Sequence, residues 1–194
     1  MSLKQFINPE TFVRKAKVMS FGTYAECESL FKEAFELTDL TIKEGEFQML
    51  PEYKEVIQWL SNSEGKGLLM TGSNGRGKTA ILKGVLPLIF LSRGYVLKVL
   101  NSGEIEYKTF QSYLNSKKFI GIDEVGKDSI INDYGTKNDP VEAAIDHCED
   151  RIKMLLMSSN LTADQIKERY GNRTLDRIKR LCKIVVFKGE SFRK

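Results

Sequence analysis

Gly72-Ser73-Asn74-Gly75-Arg76-Gly77-Lys78-Thr79 satisfies G-x-x-x-x-G-K-[ST] at every fixed position, and its neighbours on both sides are those such a loop requires. Ahead of it Gly67-Leu68-Leu69-Met70-Thr71 reads as a short apolar strand; behind it residues 80–92 read as a mostly apolar helix. A phosphate chain offers no shape for a side-chain pocket to fill. A loop of this kind therefore binds it with inward-turned backbone N–H groups, and the glycines let the main chain come close. The helix N-terminus adds partial positive charge. Lys78 is expected to reach the outer phosphates as a point charge, and the Thr79 hydroxyl to ligate Mg²⁺.

The second half of the chemistry is read further along. Phe119-Ile120-Gly121-Ile122 is apolar on both faces, as a central parallel strand is, and it runs into Asp123-Glu124. An acid at this strand end holds Mg²⁺, usually through water, and a second acid beside it takes a proton from the attacking water. Asp123 is the expected metal residue and Glu124 the expected general base. A kinase acting on a small acceptor has no need of a water-activating glutamate, so the pair points to Mg²⁺-dependent hydrolysis of a nucleoside triphosphate. Met154–Met157 reads as a fourth strand, followed by Ser158-Ser159-Asn160. If that strand lies between the other two, Asn160 enters the same crevice and orients the water or the γ-phosphate.

Around these anchors the chain alternates strand and helix, the pattern of a doubly wound parallel sheet. Asn8-Pro9-Glu10 predicts a short helix to about Lys17. Thr23 with Glu26 forms a capping box for a helix through Leu37, and Pro51 opens another with Tyr53, Val56, Ile57 and Leu60 on one face. The polar stretch 38–50 is the expected boundary between a short helical arm, residues 1–49, and a nucleotide domain, residues 50–194. Pro87 is expected to kink the helix that follows the loop. Residues 95–100 predict the second strand, 103–115 one amphipathic helix, and 141–152 a helix capped by Asp139. Residues 165–170 and 174–181 predict two helices, and 184–187 a last strand.

Composition bounds the class. The 194 residues are 41% hydrophobic and 29% charged, enough for one domain with a real core. No run of eighteen apolar residues and no N-terminal apolar leader is present, which predicts a cytoplasmic protein without membrane association. Cys27, Cys148 and Cys182 are widely spaced and odd in number, fitting neither a disulfide framework nor a metal knuckle, so they are expected to be reduced and partly buried. His147 is expected on a helix surface. Of the net charge of +4, residues 165–194 contribute +7, so this end of the sequence favours an anionic partner. Between the second and third strands, Tyr107, Lys108, Phe110, Tyr113, Lys117 and Lys118 interleave aromatic and basic side chains, a composition suited to stacking bases of single-stranded DNA and neutralising phosphates; the alternative is a core-facing Phe110 and Tyr113 with solvated lysines.

Taken together, the phosphate loop, Ile122-Asp123-Glu124-Val125-Gly126, Ser159-Asn160, Tyr170-Gly171-Asn172-Arg173-Thr174-Leu175-Asp176-Arg177 and Ser191-Phe192-Arg193 resemble the AAA+ ATPase domain of DnaC-type helicase loaders and the related IstB-like transposition helpers, over about residues 50–194. The resemblance implies a three-layer α/β P-loop fold with a five-stranded parallel sheet in the order 5-1-4-3-2 and no C-terminal lid domain. It implies ATP hydrolysis in DNA replication, with single-stranded DNA and a replicative helicase or a transposase as partners, and homo-oligomers joined through the nucleotide. Arg177 would match the arginine finger presented to a neighbouring subunit, Arg173 is the second candidate, and Arg193 matches a position that senses nucleotide. The alternative from another class is a nucleotide-switched recruiting module, such as an IstB-like transposition helper, with slow hydrolysis.

Overall fold

The computed structural model describes residues 17–38, 47–128, 131–133 and 136–191, with the backbone alone at 107–108, 131–133 and 136–138. Strands β1 (Gly67–Gly72), β2 (Val99–Asn101), β3 (Phe119–Val125), β6 (Met154–Ser159) and β7 (Cys182–Phe187) form one parallel sheet in the order β2-β3-β6-β1-β7. Numbered among themselves these five run 2-3-4-1-5, which is the expected 5-1-4-3-2 read from the other edge. Strands β4 (Ile131–Asp133) and β5 (Thr136–Asn138) pair antiparallel as a separate hairpin that the sequence reading left unassigned.

Alternate side chains of a strand leave on opposite faces, and β1 divides the core accordingly. Leu68 and Met70 pack with α1 (Tyr24–Thr38), α2 (Pro51–Ser61) and the helix after the loop, in a layer rich in aromatics: Phe31, Phe35, Tyr53, Trp59, Phe90 and Phe187. Leu69 faces the other layer, built by α5 (Tyr107–Ser116), α6 (Pro140–Arg151) and α7 (Ala163–Leu181). The result is helix, sheet, helix, as in an AAA+-type P-loop fold. Among the described residues no helix is long and apolar enough to cross a membrane.

Helices α1, α6 and α7 begin where the sequence supplies a side-chain cap. The Glu26 carboxylate accepts the Thr23 N–H at 2.7 Å while the Thr23 hydroxyl accepts the Glu26 N–H at 3.3 Å, closing the capping box of α1. Cys27, Phe31, Ala34 and Phe35 then bury one face of that helix. Asp139 caps α6 through the N–H groups of Val141 and Glu142, and Thr162 with Gln165 forms the box that opens α7.

Several boundaries differ from expectation. β2 is confined to Val99–Asn101, because only there does the chain pair with Gly121, Ile122 and Asp123 of β3. Residues 102–104 form a 3₁₀ turn, so the predicted 103–115 helix starts only at Tyr107. β3 and β6 each run past the predicted apolar core into the polar residues that carry the chemistry. The two C-terminal helices are separate, as expected, and abut at Gly171, whose φ of 82° is not helical. The three cysteines are free and fully buried rather than partly so. The predicted helix at 8–17 lies mostly outside the described residues, as does most of the 38–50 boundary.

Candidate nucleotide site

The loop leaves β1 and enters α3 (Lys78–Ala80), which continues through a π-turn (Ile81–Val85) into α4 (Leu86–Ser92). The π-turn lies just ahead of Pro87, which has no N–H to return to the Lys83 carbonyl, so a wider turn costs little there. Gly77 sits at φ 87°, and a Cβ built on it would lie 2.6 Å from the Tyr53 hydroxyl oxygen; only glycine fits that point. Lys78 is buried and its ammonium donates to the carbonyls of Gly72 (2.8 Å) and Ser73 (2.6 Å), holding its charge over the loop.

Arg76 contributes its backbone to the loop and turns its side chain the other way. Its guanidinium makes two bonds to Glu52 Oε1 of α2, at 3.0 and 2.5 Å, with the two side chains 10% and 6% exposed. The Tyr53 hydroxyl donates to the Arg76 carbonyl at 3.3 Å. Helix α2 thus braces the loop from behind. Removing one partner of a buried ion pair strands the other charge, which costs about 3–5 kcal/mol. Arg76→Ala should lower stability by about that amount in urea denaturation, and the Arg76→Met/Glu52→Gln pair should recover much of it; a loss well under 1 kcal/mol for Arg76→Ala would mean that water solvates Glu52 and the brace is unimportant.

The sheet order places β6 between β1 and β3, so the C-terminal ends of β3 and β6 reach the loop. Asp123 is 1% exposed. Its Oδ1 accepts the hydroxyl of Thr79 at 3.2 Å and that of Ser158 at closer range. Its Oδ2 is buried and accepts no hydrogen bond from the described residues, although the Lys83 ammonium stands 3.2 Å away without hydrogen-bond alignment. A buried carboxylate with an orphaned oxygen, beside a threonine hydroxyl, is a donor set that fits a hard divalent cation.

Glu124 lies in the left-handed region at φ 59°, where the β3–β6 register shifts between Ile122 and Val125. Such a conformation is costly for a non-glycine residue and marks places where geometry outweighs stability. Ser158 helps hold it: the Glu124 N–H donates to the Ser158 hydroxyl at 3.1 Å, and the Ser102 hydroxyl donates to the Glu124 carbonyl at 2.7 Å. The carboxylate accepts from Lys127 Nζ at 2.6 Å and from the Asn101 amide at 3.3 Å. The Lys127 hydrogen bond, more than the small opposing effect of burial, keeps its pKa below the usual carboxylate value. Glu124 is therefore ionised at neutral pH, as a proton acceptor must be.

Asn160 is exposed at the end of β6, on the same rim. Arg177, by contrast, is held in its own chain by Asp146 and by Glu149 at 3.0 Å, both on α6, whereas Arg173 is exposed. Arg193 lies outside the described residues. Four contributors escaped the sequence reading. Ser158 and Lys83 were legible in part, the first as a hydroxyl ending an apolar strand, the second as a lysine four residues after Thr79 inside an apolar helix. Asn101 and Lys127 depend on strand register and on a turn that sequence spacing does not give.

The proposed stacking strip is corrected at its centre. Tyr113 is 7% exposed; its hydroxyl donates to the Lys98 carbonyl at 2.7 Å and accepts the Gly121 N–H at 2.9 Å, and its ring stacks on buried Phe110. The helical stripe that looked like a base platform is core. Lys118 is exposed, with its ammonium 4.8 Å from the Tyr95 ring centre, and Lys117 is half-buried. The backbone of Tyr107 and Lys108 opens α5, and their side chains lie outside the described residues. His147 is not a free surface residue either: its Nε2 is buried, and burial lowers its pKa.

Beyond Glu124 the chain passes through Asp128, whose Oδ1 accepts the Gly126 N–H (2.9 Å) and the Tyr170 hydroxyl (2.5 Å), and whose other oxygens meet Arg169. Asp139, at the far foot of the hairpin, is pushed up to about 6 by burial and by the charge of Asp128. A folded pKa raised above the unfolded one gives stability that is complete below the unfolded value and lost as pH rises through about 6. Asparagine caps helices as well as aspartate does. Asp139→Asn should therefore raise the melting temperature at pH 7.5 and change it little at pH 4; an equal change at both would mean the two carboxylates do not interact.

The chain superposes on the DnaC helicase loader with a TM-score of 0.51 at 18% identity, covering 63% of this chain and 78% of that one. On DnaI the TM-score is 0.53 at 19% identity, with 66% and 73% covered. The chain has the fold of these two proteins. AMPPCP-bound DnaA from Aquifex aeolicus shares it as well, with a TM-score of 0.54 at 13% identity, over 79% of this chain and 52% of that one. No protein-family model and no curated protein sequence matches.

Proposed function

We propose that this chain is a Mg²⁺-dependent ATPase of the DnaC type, acting in DNA replication with single-stranded DNA and a replicative helicase, and assembling through its nucleotide. The observation that carries the reading is the 3.2 Å bond from the Thr79 hydroxyl to Asp123, which joins the phosphate loop to the acidic strand end at the one place where both would ligate a metal. That DnaA, a protein of the same fold, binds AMPPCP supports a nucleotide as the ligand.

In this reading the loop N–H groups and Lys78 bind the phosphates, Thr79 and Asp123 would hold Mg²⁺, and the ion when bound neutralises charge on the phosphoryl group being transferred. Glu124 accepts the proton of the attacking water, Asn160 orients that water, and Asn101 with Lys127 hold the Glu124 carboxylate. With Tyr113 in the core, the DNA contact rests on lysines such as Lys117 and Lys118 and on the basic residues of α7, so it is a phosphate contact without sequence preference.

The test is phosphate release from ATP with and without single-stranded DNA, together with calorimetry on Lys78→Ala. Loss of one charge-assisted phosphate contact should weaken ATP binding about ten- to a hundredfold. Unchanged ATP affinity in the variant would remove this loop as the site, and turnover indifferent to DNA would favour a recruiting switch.

A further inference from the structure

Thr79 and Lys83 lie one helical turn apart and both meet Asp123, but on different oxygens. Oδ1 receives the hydroxyls of Thr79 and Ser158. Oδ2, buried and without a hydrogen bond, has the Lys83 ammonium 3.2 Å away. Burying a carboxylate to 1% exposure is costly unless a cation pairs with it, and here the chain supplies its own. The Lys83 side chain is 38% exposed, so it has solvent to withdraw into, whereas Asp123 does not. Its backbone sits in the middle of the π-turn, a wider turn of the kind that recurs at functional sites and that here carries the ammonium to the acid.

We infer that Lys83 is a tethered cation that neutralises Asp123 in the absence of a divalent ion, so that the loop accepts nucleotide without metal and a divalent ion enters only by displacing Lys83. This rests on the nucleotide reading of the loop given above. The electrostatic argument is direct. A bare carboxylate at this rim repels the β- and γ-phosphates; a paired one does not. The pairing that favours metal-free nucleotide also competes with the metal for the same oxygen. Lys83 is thus a positioning residue that sets how strongly nucleotide and metal occupancy are linked.

The experiment titrates a fluorescent ADP analogue into the unmodified protein, Lys83→Met and Lys83→Arg, in EDTA and in saturating Mg²⁺, and measures Mn²⁺ binding to each protein without nucleotide by electron paramagnetic resonance. The unmodified protein and Lys83→Arg should bind the analogue nearly as well in EDTA as in Mg²⁺. Lys83→Met should lose about tenfold in EDTA, regain it in Mg²⁺, and bind Mn²⁺ about tenfold more tightly than the unmodified protein. Should the methionine variant fail to fold, Lys83→Gln carries the same expectations. Identical EDTA-to-Mg²⁺ ratios and identical Mn²⁺ affinities across the set would overturn the inference. No binding of the analogue to the folded, unmodified protein in either buffer would instead overturn the nucleotide reading, and the Mn²⁺ comparison would still judge Lys83 on its own.

Discussion

Replacing Glu124 by glutamine should leave ATP binding intact and lower turnover by roughly 10² to 10⁴, the range by which a positioned general base accelerates proton transfer. The side chain keeps its shape, and its amide still meets Asn101, so the site is disturbed little; what disappears is the ability to take a proton. The ion pair to Lys127 also goes, but Lys127 is largely exposed and that loss is screened. The pH profile of the unmodified protein supplies an independent check. Because the Lys127 hydrogen bond holds the Glu124 pKa low, the base form persists on acidification, and the acid limb of turnover should fall below the usual carboxylate range. Lys127→Ala should move that limb upward. Normal turnover in Glu124→Gln would place the base elsewhere on the rim.

The two acids were legible because apolar runs ending in adjacent carboxylates are rare in a strand buried on both faces, and the phosphate loop was legible because its glycines, lysine and threonine have fixed spacing. The strand order followed from the resemblance these motifs carry. What escaped was whatever depends on register or packing. Asn101 reaches Glu124 only because β2 pairs with β3 at Asn101 and Asp123. Ser158 contacts both acids only because β6 lies next to β3. Tyr113 stayed open for a different reason: aromatic and basic residues at helical spacing compose a base-stacking strip or a core face with a solvated edge, and the pairing of its hydroxyl with Gly121 decides for the core. Arg76 is a third instance, a loop residue whose side chain works as a brace because its partner, Glu52, is twenty-four positions earlier.

Arg177→Ala should bind ATP as the unmodified protein does and hydrolyse it poorly, by about 10³ to 10⁵ in rate if Arg177 is an arginine finger supplied to a neighbour. In the single chain its guanidinium is engaged by Asp146 and Glu149, with 20% of the side chain exposed. Those acids are 55% and 31% exposed, and ion pairs in such surroundings contribute about 0–1 kcal/mol, so a triphosphate presented by another subunit would outcompete them. Turnover should accordingly rise more steeply than linearly with protein concentration. Freeing the arginine with Asp146→Asn and Glu149→Gln should raise turnover at low concentration. Arg173, exposed four residues earlier on α7, is the control: Arg173→Ala should keep most activity if Arg177 is the finger and lose it if the roles are exchanged. The decisive measurement mixes Arg177→Ala with Lys78→Ala. Each subunit lacks what the other retains, so an interface in the right order joins an intact loop to an intact finger. A mixture well above both parents establishes catalysis across the interface; a mixture no better than either, with assembly confirmed by light scattering, reduces Arg177 to a clamp between α6 and α7.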